Sequence, residues 1–114
     1  MKRALMSSLL VLGLVGAFSA EAADKKIERL FNSKCSACHG KDGKAQTEKG
    51  KKMAMRDMAS AEFQKGTDEE FKKAILEGMK KEEKGVKQEM DPFKDELKGP
   101  EVDALVAYCR EFKK

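Results

Sequence analysis

Cys35-Ser36-Ala37-Cys38-His39 constrains this chain more than any other stretch, because it fixes two thiols and an imidazole within about one helical turn. A Cys-x-x-Cys-His run is the attachment signal for a covalently bound c-type haem. The chemistry requires that spacing: the two cysteine sulfurs add to the two vinyl groups of the porphyrin, and the next residue offers an imidazole nitrogen to the iron. A chain tied in this way has to fold around a flat apolar ring.

Other uses of the same residues compete with that reading. A thioredoxin-like redox dithiol wants a strand before Cys35 and a helix opening at it, and no strand pattern precedes Cys35. A zinc site reaches four ligands by composition from Cys35, Cys38, His39 and the distant Cys109, but adjacent Cys38 and His39 point apart, whereas zinc ligands usually come in two separated pairs. A disulfide between Cys35 and Cys38 would close a very short loop. His39 is the sole histidine, so no Ser/His/Asp or Cys/His/Asn constellation can be assembled without consuming it. Carboxylates such as Glu82 and Glu83 fall in charge runs that form solvated faces, and no acid-base pair stands out.

The N-terminus agrees with haem attachment. Lys2 and Arg3 form a positive start, Ala4 to Phe18 an apolar stretch, and Ala20-Glu21-Ala22 a small-x-small cleavage site, which together read as a secretory signal over residues 1–22. A membrane anchor fits less well, since the apolar run is short, contains Ser7 and Ser8, and lacks a basic stop. Cleavage near Ala22 leaves 92 of the 114 residues, so residues 23–114 make one small domain with a modest core. The expected location is the periplasm, where bacteria attach haem c, with no stable membrane insertion after cleavage.

Composition excludes some functions. The formal net charge is +4, and losing Lys2, Arg3 and Glu21 lowers it to +3. Nucleic-acid binding would need a concentrated basic face with interleaved aromatics. Tryptophan is absent and aromatic residues are only 6%, thin for a core of protein alone. A buried porphyrin would fill that deficit, and the chain is expected to fold poorly without it.

Apolar periodicity then predicts a string of helices. Ile27, Leu30 and Phe31 mark one face of a helix running from Asp24 into Cys35. Asp42-Gly43 and Gly50 punctuate a polar loop, followed by a methionine-rich stretch with Met53, Met55 and Met58. Ser60 with Glu62 opens a short helix through Lys65, stopped by Gly66. Thr67-Asp68-Glu69-Glu70 is a capping box ahead of Phe71, Ala74 and Ile75, with Gly78 as the stop. Lys80 to Glu89 reads as a charged loop, with no alternating β pattern. The last helix opens at Gly99-Pro100 and carries Val102, Leu105, Val106, Cys109 and Phe112 on one stripe.

With these pieces assembled, the chain resembles the small monohaem class I cytochromes c. The resemblance rests on the export signal, Phe31 four residues before Cys35, the Cys-x-x-Cys-His-Gly run at 35–40, the Met90-Asp91-Pro92-Phe93 loop, and the terminal helix from Glu101 to Tyr108. It implies an all-α cytochrome c fold, with short helices around one covalent haem c. First and last helices would cross, putting the Leu30/Phe31 face against Leu105 and Tyr108. It implies Cys35 and Cys38 as attachment residues, His39 as one axial ligand, and a methionine opposite it, which raises the potential. Most methionines fill cores. Met90 stands apart because Pro92 stiffens its loop, Phe93 can anchor it, and it sits where the family places its ligand; Met79 is the next candidate.

Two positions depart from the family. Arg56 occupies the place of a proline whose carbonyl, in many relatives, accepts the histidine's other ring N–H. Cys109 is left over once two cysteines bind haem, and its stripe position favours an inert buried thiol over an intermolecular disulfide or a redox sensor. The expected function is one-electron transfer between periplasmic or membrane redox proteins by a monomer that docks transiently. The alternative is a haem peroxidase or gas sensor with a displaceable distal ligand. A non-haem metal or thiol protein is a third class, distinguished by lack of colour. Lysines 41, 44, 49, 51 and 52, or 80, 81, 84 and 87, could steer an acidic partner, though Glu48, Glu82, Glu83 and Glu89 dilute both groups.

Overall fold

A computed structural model describes residues 20–113, so the expected export signal falls outside the described residues apart from 20–22, which form the first turn of a helix. That helix, α1 (Ala20–Lys34), runs directly into the attachment motif. The motif folds as the single turn α2 (Ser36–His39), and three short helices follow: α3 (Glu48–Lys52), α4 (Ala61–Gln64) and α5 (Asp68–Glu77). Strands β1 (Met79–Glu83) and β2 (Val86–Met90) come next, and α6 (Gly99–Glu111) closes the chain.

Local chemistry fixes the helix ends. Ser60 caps α4 by accepting from the Phe63 amide at 3.2 Å. At α5 the capping box is complete: Thr67 Oγ1 accepts from the Glu70 amide at 3.1 Å, and the Glu70 carboxylate accepts from the Thr67 amide at 3.0 Å. Gly78 ends α5 at a positive φ of 74°, and Pro100 stands in the first turn of α6.

The crossing of α1 and α6 builds the core. Phe31 is fully buried, with its ring centroid 4.9 Å from Tyr108 and 5.5 Å from Phe112. Val102, Leu105 and Cys109 of α6 join Phe31, Met58 and Leu97 in one buried cluster. Arg110 ties α5 to α6: its guanidinium lies 4.4 Å above the Phe71 ring and donates to Asp68 Oδ1 at 2.9 Å and to the Gln64 carbonyl at 2.9 Å. The expected helices and the contact between first and last are present.

The charged stretch expected to be a loop is instead an antiparallel hairpin. Met79 pairs with Met90, Lys80 with Glu89, Lys81 with Gln88, Glu82 with Lys87 and Glu83 with Val86. Lys84 and Gly85 turn the chain at φ 52° and 78°, the double positive φ of a type I′ turn. The fold is therefore mostly helical with one two-stranded ribbon. Such a ribbon is marginal by itself, and its attachments to the helices give it its place.

Candidate functional site

The segment after the motif is held mainly by main-chain bonds. The Cys35 amide donates to the Phe31 carbonyl at 2.8 Å, continuing α1 into the motif, and Gly40 N donates to Ser36 O at 2.8 Å. Ala45 N donates to the His39 carbonyl at 2.8 Å. Thr47 performs two tasks: its hydroxyl donates to the Cys38 carbonyl at 2.7 Å and accepts from the Gly50 amide at 2.9 Å, so the cap of α3 also holds the motif. At Gly50 a Cβ would collide with the Ala45 carbonyl and lie 2.6 Å from the Cys38 carbonyl. Only glycine permits that approach. Further on, Met55 N donates to Gly50 O and Met58 N to Gly43 O, both at 2.9 Å, so the loop folds back beside the motif.

These elements, α5 and the hairpin enclose a cleft of about 740 Å³, within the size range of cofactor sites. Cys35, Cys38, His39 and Met90 all line it, so residues up to 55 positions apart in the chain are brought to one space. Phe31, Phe63, Phe71 and Leu105 contribute apolar wall, and the Phe63 and Phe71 rings stack at 4.9 Å between centroids. A smaller hollow of about 350 Å³ between α5 and α6 contains none of the motif residues and is rimmed by paired charges, Lys72 with Asp103 at 3.0 Å and Arg110 with Asp68 at 2.9 Å.

Electrostatics in the cleft favour neutral donors. Burial pushes the His39 imidazole down to about 4, so it is uncharged near neutral pH. Its Nδ1 is, among the described residues, the buried side-chain polar atom without a hydrogen-bond partner, so no carbonyl or carboxylate orients the ring from that side. Arg56, in the place of the family's proline, pairs with Glu62 at 3.2 Å. Burial pushes Cys35 up to about 11, with Lys34 pulling it down and Cys38 adding to the rise. Cys109 is 8% exposed, and burial followed by the nearby Cys35 raises it to about 12, an unreactive thiol.

The competing uses of the motif do not fit this arrangement. A helix, not a strand, precedes Cys35. Among the described residues no group of three or more His, Cys, Asp or Glu is placed to hold a metal ion, and Cys35, Cys38 and Cys109 are free thiols. A haem fits instead: two thiols and a neutral imidazole stand on one turn, beside a wide cleft with aromatic walls. Met79 lines the cleft with Met90. Sequence reasoning missed Thr47 and Gln88. The Gln88 amide donates to the carbonyls of Met53 at 2.8 Å and Ala54 at 3.2 Å, joining the hairpin to the loop beside the motif. Alternation of Val86, Gln88 and Met90 was the available signal.

Comparison with known proteins points the same way. The family model described as cytochrome c oxidase, cbb3-type, subunit III matches residues 22–109. A solved structure, KustC0563 c-type cytochrome, is similar with a TM-score of 0.63 and 39% identity, covering 76% of this chain and 96% of that one. No curated protein matches.

Proposed function

This chain belongs to the cytochrome c family of the cbb3-type subunit III kind, and from that membership we propose that it is an exported, periplasmic one-electron carrier with a single haem c. The family places it among c-type cytochromes, typically electron carriers, with covalent haem. When bound, haem c would supply a one-electron couple at its iron.

The chain's own residues would do the rest. Cys35 and Cys38 would hold the porphyrin through their sulfurs, and the neutral His39 imidazole would be a ligand to its iron. The Met90 thioether would be the second ligand, a donor that carries no proton to gain or lose as the charge changes. Phe31, Phe63 and Leu105 would keep water from the bound group, and the bonded segment from Gly40 to Met58 would limit movement between redox states. The single observation that carries this reading is the convergence of Cys35, Cys38, a neutral His39 and Met90 on one cleft.

Docking would be brief and electrostatic. Lys80 and Lys81 are engaged with Glu89 and Glu83 at 3.5 and 3.6 Å. Lys41, Lys44, Lys49, Lys51 and Lys52 form no ion pair among the described residues, which makes them the better candidates to meet an acidic partner. Among the described residues no helix is long and apolar enough to cross a membrane.

Absorption spectra of the holoprotein, oxidised and reduced, test the assignment. The expected result is covalent haem, a far-red sulfur-to-iron band in the oxidised form, and no change when the reduced form meets carbon monoxide. Prompt carbon monoxide binding would replace the carrier with the sensor or peroxidase reading.

A further inference from the structure

Two methionines, not one, stand at the base of the hairpin. Met79 and Met90 are direct partners in the β1–β2 register, so their side chains leave the same face of the ribbon a few ångströms apart. Both line the cleft that His39 lines.

The backbone under both is fixed. Before Met79, Gly78 caps α5, and a Cβ there would collide with the Met90 carbonyl and stand 2.9 Å from Pro92 N. After Met90, Phe93 N donates to Ile75 O at 2.9 Å and Lys94 N to Leu76 O at 3.2 Å. The two strands are therefore pressed together and pinned to the end of α5 where the methionines sit.

Packing separates Met79 from Met58, the methionine of the buried cluster. Met58 is 3% exposed within the buried cluster, whereas Met79 is the large hydrophobic side chain that stays exposed, at 41%. A thioether held at a cleft wall and left outside the core is free to serve as a donor. Methionine's unbranched chain lets its sulfur adjust by rotamer changes alone.

We propose that the hairpin base is a two-thioether distal site, in which Met79 takes the axial position whenever Met90 is withdrawn from it. This rests on the reading of Met90 as the distal ligand. The exchange breaks one sulfur–iron bond and forms another with no change in oxidation state and no proton moved. Its consequence is that the iron stays closed to small molecules when Met90 is lost, for example by oxidation to the sulfoxide.

The test compares the holoproteins of wild type, Met90→Leu, Met79→Leu and the double variant; leucine conserves volume and cannot ligate. Either single variant is expected to keep at least half of the far-red band and to remain inert to carbon monoxide, with Met90→Leu showing a changed midpoint potential. The double variant is expected to lose the band and bind carbon monoxide. Loss of the band in Met90→Leu alone overturns the substitution and leaves Met90 as distal ligand. Loss in Met79→Leu alone makes Met79 the native ligand and overturns both the substitution and the Met90 assignment. A band that survives in the double variant places the ligand elsewhere and overturns both.

Discussion

The cleft is bounded by two kinds of wall. On the motif side, from Cys35 to Met58, carbonyls of Cys38, His39, Gly43 and Gly50 each accept a bond from within the same segment. On the hairpin side, β1 is exposed along its whole length, and the ribbon meets the rest of the chain through Gln88 and through the Phe93 and Lys94 amides. One wall is over-determined and the other is strapped on at a few points. The proposed electron carrier would use that division: the side of the attachment motif is set by many local constraints, while the proposed distal methionine sits on an element of low independent stability.

The stiff wall should fail most visibly at Gly50. Gly50→Ala sets a methyl against two backbone carbonyls that cannot move cheaply, and the holoprotein should lose about 1–3 kcal/mol in guanidinium unfolding. An unchanged midpoint would show that the motif wall is not rigid. Gln88→Ala comes next. Removing its bonds to the Met53 and Ala54 carbonyls of the loop, at 2.8 and 3.2 Å, should cost about 1 kcal/mol, felt at the distal ligand rather than in global unfolding. Imidazole added to the oxidised protein should displace the methionine about five times more readily; equal affinity in both proteins would show that the latch does not hold the ligand. Lys80→Ala is the smallest. Its pair with Glu89 joins two side chains that are 84% and 61% exposed, so both the unfolding midpoint and imidazole affinity should stay within about 0.5 kcal/mol of wild type.

The same contrast explains how much was legible in the sequence. The attachment motif, α1, α5 with its capping box, and α6 each announce themselves through residues three or four positions apart, a range that a linear reading covers. The hairpin does not. Met79 to Glu83 is exposed throughout, so no inward-outward alternation marks β1. Its turn uses Lys84-Gly85 where Asn-Gly would have been the strong signal. Gln88 acts on carbonyls 34 and 35 residues away, and the alternation of Val86, Gln88 and Met90 marks a strand without encoding that contact. Met90 is singled out in the sequence by its Pro92-Phe93 neighbourhood and its family position, and the structure lines the cleft with it; its pairing with Met79 shows only in the register.

Phe31 and the rings that enclose it lie at opposite ends of the chain, Tyr108 being 77 residues downstream at a centroid distance of 4.9 Å. Closing so long a loop is slow compared with forming α1 or α2. A chain that emerges N-terminus first therefore completes the motif turn while the aromatic neighbours of Phe31 have yet to be synthesised or delivered. The order of residues along the chain acts as a timer: α1 and the motif turn can form before Phe31 gains its aromatic neighbours from α6.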